Sequence, residues 1–172
     1  MTLTFVTGGA RSGKSGYALR LAAEAGTPVA LIATAEARDD EMRERIEAHR
    51  RERPGGWRTV EEPLDLARAL RGLASDEFAI VDCLSLWVSN LLEGPNDAAA
   101  IEQRAAEAAE LAARHEGGCV AVSNEVGMGI VPIGALARSY RDIIGRVNSI
   151  WAEAADDALL AVAGRVLRLE RA

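Results

Sequence analysis

One octapeptide constrains this chain more than any other feature. Gly8-Gly9-Ala10-Arg11-Ser12-Gly13-Lys14-Ser15 completes the pattern G-x-x-x-x-G-K-S. A short apolar run, residues 3–7, precedes it. A stretch with helical apolar spacing, residues 14–25, comes next and is stopped by Gly26. Strand, glycine-rich loop and helix in that order make a phosphate cradle. The glycines let backbone N–H groups turn inward, and the helix start adds free N–H groups and a positive dipole end. In such a loop Lys14 reaches the β- and γ-phosphates, and the Ser15 hydroxyl ligates Mg²⁺. A glycine-rich turn carrying a surface lysine is the plainer alternative. Composition argues against it: Lys14 is the single lysine among twenty Lys and Arg residues. A coding bias toward arginine spares the position where a compact ammonium is needed and a planar guanidinium fits badly.

The rest of the chain alternates short apolar runs with helical stretches. Residues 29–33, 78–81, 120–123, 159–162 and 166–169 read as strands. Residues 39–53, 64–74, 98–116 and 135–155 read as helices, the alanine-rich 98–116 segment as a surface helix. This pattern predicts an α/β fold, a P-loop NTPase-type three-layer domain with a mainly parallel central sheet, and one domain over residues 1–172. Apolar residues make up 49% and the net charge is −6. The acidic balance argues against a nucleic-acid partner, which calls for a basic face. No apolar run has the length of a bilayer span and no basic leader opens the chain, so a cytoplasmic location is expected. Cys83 and Cys119 read as reduced core residues without metal-site spacing.

Two further positions carry candidate chemistry. Asp82 closes the buried run before it, at the carboxyl end of a strand, where ligands of open α/β sheets bind. It can hold Mg²⁺ directly or through water, or it can cap the next helix. The chain has two histidines. His115 ends a charged helix and reads as a solvated residue beside the helix terminus. His49 shares a helical stripe with Arg45 and Arg53, and Arg50 and Arg51 add to the positive field. Nearby cations favour the neutral, nucleophilic imidazole and attract phosphates. By spacing alone an ordinary surface residue on a charged helix is the better reading of His49.

Beyond the phosphate loop, further segments are informative together. They are Ile32-Ala33-Thr34, Asp39-Asp40-Glu41-Met42 with Arg45-Ile46 and His49-Arg50, Arg53-Pro54, and Trp57-Arg58-Thr59 with Glu61-Glu62. The most specific are Ser123-Asn124-Glu125-Val126-Gly127-Met128-Gly129-Ile130-Val131-Pro132 and Arg141-Asp142-Ile143-Ile144-Gly145-Arg146-Val147-Asn148. Through essentially its whole length the chain resembles the bifunctional adenosylcobinamide kinase and adenosylcobinamide-phosphate guanylyltransferase family of cobalamin biosynthesis. The resemblance implies two reactions. A nucleoside triphosphate, ATP or GTP, phosphorylates the aminopropanol hydroxyl of adenosylcobinamide. GTP then gives GMP to an enzyme histidine, releasing pyrophosphate, and the GMP passes to adenosylcobinamide phosphate to form adenosyl-GDP-cobinamide. By resemblance His49 is the guanylylated nucleophile. The family's GTP contacts fall on residues 8–15, on Ala33, Thr34, Ala35 and Glu36, on Arg50, Arg51, Glu52 and Arg53, and on Glu61 and Asp82. The family also implies a homo-oligomer, a trimer, with the helix over 39–53 at or near a cleft between subunits. The segment from Asn124 to Pro132 reads as a loop shaping the substrate side or as a structural turn. Arg141 and Arg146 receive no role.

Two other functions compete. A nucleotide-switch GTPase needs an Asn-Lys-x-Asp base-reading motif, and the one lysine is already used at position 14. A small-molecule kinase without guanylyl transfer shares the phosphate loop and Asp82. It gives no reason for the His49 helix or for the segment after Ser123.

Overall fold

The computed structural model describes residues 2–51 and 54–171, with residues 41 and 45 described by their backbone. Seven strands form one sheet: β1 (Leu3–Gly8), β2 (Val29–Ala33), β3 (Arg58–Glu61), β4 (Phe78–Asp82), β5 (Cys119–Val122), β6 (Asp157–Val162) and β7 (Arg165–Arg168). Their order across the sheet is β3-β2-β4-β5-β1-β6-β7. Every neighbouring pair is parallel except β6–β7, a closing antiparallel hairpin. The helices are α1 (Lys14–Glu24), α2 (Asp40–Arg51), α3 (Leu66–Arg71), α4 (Leu84–Leu92), α5 (Ala98–Arg114) and α6 (Ala135–Ala154).

Strand period explains the three layers, because successive side chains point to opposite faces of the sheet. Leu3, Phe5, Ile32, Ala79, Val81, Cys119 and Ala121 face one core, which α3, α4, α5 and α6 cover. Val6, Val29, Leu31, Phe78, Ile80, Val120 and Val122 face the other, where α1 places Ala18 and Ala22. Both faces of the central strands are buried, so these strands are continuous apolar runs without alternation.

The expected elements are present, with two additions and some shifts. β3 is an edge strand whose Arg58, Thr59 and Glu61 are exposed, so no apolar run announces it. α4 is apolar almost all round: Leu84, Trp87, Val88 and Leu91 are fully buried, which erases the two-sided pattern of a surface helix. The helix expected over 64–74 shortens to Leu66–Arg71, because Asp65 caps it by accepting from Arg68 N at 3.0 Å. α5 is less of a surface helix than expected, since Ile101, Ala105, Ala108, Ala109 and Ala112 are buried along one stripe.

His115 also differs from expectation. It is half-buried at the end of α5, and its Nε2 lies 2.6 Å from the Glu77 carbonyl. That contact is at the amino-terminal edge of the sheet. Glu77 is buried there and accepts from Arg58 Nε at 2.7 Å, Arg58 Nη2 at 2.6 Å and Ala74 N at 2.8 Å. The Arg58 bonds outweigh burial and hold its carboxyl below the usual range.

Candidate active site

The carboxyl ends of the strands carry the chemistry. β1 runs into the glycine loop and β4 ends at Asp82. β2 ends at Ala33, opposite Asp82 on one side and Glu61 of β3 on the other. A cleft of about 1430 Å³ opens there. Arg11, Lys14, Ser15, His49, Arg50, Glu61, Asp82 and Asn124 all line it. Five elements distant in sequence therefore meet at one cavity, as expected at the crevice of an open α/β sheet.

The loop is held in shape by its neighbours. Gly8 cannot carry a side chain: an added Cβ would lie 2.3 Å from the Ala161 carbonyl oxygen of β6. Gly13 has φ +99, in the left-handed region, and its Cβ position is 3.2 Å from Gly164 Cα in the β6–β7 turn. Gly164 N donates to the Ser12 carbonyl at 2.9 Å. The last hairpin thus backs the loop, a support with no local sequence signal. Arg11, mid-loop, also has positive φ, at 55. Lys14 is buried to 8% exposure and its Nζ donates to the Gly9 carbonyl at 2.6 Å, so the ammonium lies over its own loop.

The other expected positions divide into several groups. Ala33, Ala35 and Glu36 line the cleft. Thr34 is fully buried instead. Its hydroxyl donates to the Cys83 carbonyl at 2.8 Å and accepts from Cys83 N at 2.9 Å, while its carbonyl accepts from Asn90 at 2.8 Å. It joins the ends of β2 and β4 behind Asp82. Glu36 pairs with Arg38, and Arg38 pairs with Glu93. Arg50 pairs with Glu61 and bridges α2 to β3. Arg51 donates from Nε to the Glu47 carbonyl at 3.3 Å. Glu52 and Arg53 lie outside the described residues.

α2 differs from the other helices in having no fully buried side chain among those described. Asp39 caps its start, accepting from Met42 N at 2.7 Å. The helix stands over the cleft through Met42, Ile46, His49 and Arg50 rather than packing into a core. Few buried contacts among the described residues tie it to the sheet, and the Arg50–Glu61 pair links it to β3. The oxygen donors Ser15 and Asp82 border the same cavity, a hard set suited to Mg²⁺ completed by phosphate and water.

Several residues of the cleft carry no sequence signal of a site: Arg38, Glu47, Pro63 and Leu86. Arg38 and Glu47 flank positions that do carry one, and Met42 belongs to an informative segment. Asn124 lies in the most specific segment of the resemblance, read in sequence as a loop on the substrate side or as a structural turn.

A phosphate loop after β1, an aspartate at the end of β4 and a cleft over the parallel sheet define a P-loop nucleotide-binding protein of the α/β class. A solved structure, the flagellar accessory protein FlaH from Methanocaldococcus jannaschii, is similar over 96% of this chain and 74% of its own. Its TM-score is 0.50 at 12% identity, a likeness of fold alone. The family model for cobinamide kinase / cobinamide phosphate guanyltransferase matches residues 4–169. The bifunctional adenosylcobalamin biosynthesis protein CobP of Pseudomonas aeruginosa is 45% identical over 166 residues, 96% of this chain and 95% of that protein. Its counterpart CobU of Escherichia coli is 43% identical over 175 residues, covering 94% and 96%. The chain belongs to the cobinamide kinase / cobinamide phosphate guanyltransferase family, and it is a transferase.

Proposed function

We propose that this chain carries out both family reactions at the one cleft, with His49 as the covalent carrier of GMP. The observation that carries this reading is that His49, Lys14, Ser15 and Asp82 line the same cavity. In the kinase step the loop N–H groups and Lys14 hold the β- and γ-phosphates of ATP or GTP. Ser15 and Asp82 would hold Mg²⁺, which when bound neutralises phosphate charge. In the second step the neutral imidazole of His49 forms a bond to the α-phosphorus of GTP. The bond from that phosphorus to the β-phosphate oxygen breaks, and pyrophosphate leaves with the electron pair. A phosphate oxygen of adenosylcobinamide phosphate then attacks the same phosphorus, and the electron pair of the P–N bond returns to the ring. Arg50, with Arg53 further along the same stretch of sequence, supplies positive charge near the developing centre. Ala33, Ala35, Glu36 and Glu61 border the nucleotide, with Thr34 fixing the backbone between Ala33 and Ala35.

Wild-type protein incubated with GTP labelled in the α-phosphate should acquire label that is stable to base and labile to acid. Cobinamide should yield a phosphorylated product with either triphosphate. Absence of protein-bound label after pyrophosphate removal would leave a kinase without guanylyl transfer.

Triphosphate substrates suit a cytoplasmic location. Among the described residues no helix is long and apolar enough to cross a membrane. A homo-oligomer, a trimer, is part of the same proposal. Its support is the exposed segment after Asn124, where Met128 is 78%, Ile130 98%, Ile133 98% and Leu136 72% exposed. Apolar side chains this dense on a surface mark an interaction face. Light scattering should give the mass of three chains; a monomer active in both reactions would exclude a functional role for the trimer.

A further inference from the structure

Strand order points to a residue that neither the motif nor the covalent chemistry uses. β5 lies between β1, which leads into the phosphate loop, and β4, which ends at Asp82. Val122 is opposite Val6 on one side and opposite Asp82 on the other. The chain leaving β5 after Val122 therefore emerges between the phosphate loop and Asp82, where the far end of a bound triphosphate lies. Ser123 is fully buried, and its hydroxyl donates to Asn148 Oδ1 at 2.5 Å. Asn124 lines the cleft.

Asn124 is held at three points. Its carbonyl accepts from Asn148 Nδ2 at 3.0 Å, and the next N–H, of Glu125, donates to the Gly8 carbonyl at 3.0 Å. Its side-chain Nδ2 donates to Ser85 Oγ at 3.0 Å. Ser85 is itself buried and fixed: its carbonyl accepts from the Tyr140 hydroxyl at 3.1 Å, and its Oγ lies 3.0 Å from Cys83 Sγ. With the nitrogen end so engaged, the amide presents its oxygen Oδ1, to which nothing donates among the described residues.

An amide oxygen repels phosphate oxygens, so its partner has to be a donor. The attacking alcohol is the donor that the kinase reaction brings to the γ-phosphate. We propose that Asn124 is a further catalytic residue of the kinase step, its Oδ1 accepting the hydrogen bond of the attacking hydroxyl. This role rests on the kinase activity proposed for the cleft. The hydroxyl oxygen forms its bond to the γ-phosphorus as the bond to the bridging oxygen breaks. The electron pair leaves with the nucleoside diphosphate; the proton stays on the attacking oxygen, bonded to Oδ1, until the new bond has formed and then passes to water. Asn124 takes no proton; it aims the oxygen lone pair in line with the departing bond.

The test uses the full chain with Asn124→Ala and Asn124→Asp. Asn124→Ala removes one side-chain bond and leaves both backbone clamps, so the fold should persist. Its kinase kcat should fall about 100-fold. Nucleotide Kd and GMP labelling of the protein should stay within about threefold, because neither involves the alcohol. Asn124→Asp keeps an acceptor in place but adds a charge that weakens nucleotide binding, so at saturating nucleotide its kcat should recover at least about tenfold of the lost turnover. Equal losses in kinase turnover and GMP labelling, unchanged kinase turnover, or equal damage in both variants would each overturn the proposal. A wild-type protein that neither phosphorylates cobinamide nor labels with GMP defeats the underlying function instead, before any variant is compared.

Discussion

Lys14→Arg is expected to lose both reactions by on the order of 10³-fold, although the formal charge is kept. Lys14 is buried to 8% exposure and its ammonium sits 2.6 Å from the Gly9 carbonyl, inside the curl of its own loop. A guanidinium is planar, wider, and has its donors in a fixed fork. To fit, it would have to displace Ser12, whose Oγ is 3.5 Å from Nζ, or leave the loop. The loop cannot widen on its far side, where Gly8 and Gly13 touch β6 and the β6–β7 turn. Lys14→Ala should be equally inactive, with weaker nucleotide binding in titration calorimetry. Near-wild-type turnover in Lys14→Arg would mean that the loop does not grip the phosphates in the manner described.

The second large effect separates the two reactions at one residue. His49→Ala should lower protein-bound GMP and guanylyl transfer by on the order of 10⁴-fold or more, because a covalent route without its nucleophile has no substitute. Kinase turnover should stay largely intact, since phosphoryl transfer rests on positioning and charge with no covalent protein intermediate. His49 sits on α2, which no fully buried described side chain anchors to the core, so truncation there leaves the fold unharmed. His115→Ala should change neither reaction. Its ring contacts the Glu77 carbonyl at the opposite edge of the sheet from the cleft.

These residues differ in how far sequence alone reveals them. The phosphate loop is legible because its chemistry is local: eight consecutive residues, a strand before and a helix after. The parallel sheet is legible because strands buried on both faces are apolar without alternation. β3 and α4 are not, for opposite reasons. Exposed Arg58, Thr59 and Glu61 make an edge strand look like a loop. The wholly buried Leu84, Trp87 and Leu91 leave α4 no polar face. Thr34 reads as a ligand contact, and its hydroxyl is instead spent on Cys83, a partner 49 residues away. Asn124 gains its meaning from strand order, which no local pattern encodes. His49 is distinguished by family resemblance; the structure adds its position on the cleft with Lys14 and Asp82.

The most direct measurement is to locate the GMP. Wild-type protein is reacted with GTP, digested at alkaline pH to preserve a P–N bond, and its peptides are read by mass spectrometry. One modified peptide is expected, with GMP on the imidazole of His49. A modified His115, or GMP on a serine, lysine or carboxylate, would contradict a covalent route through His49.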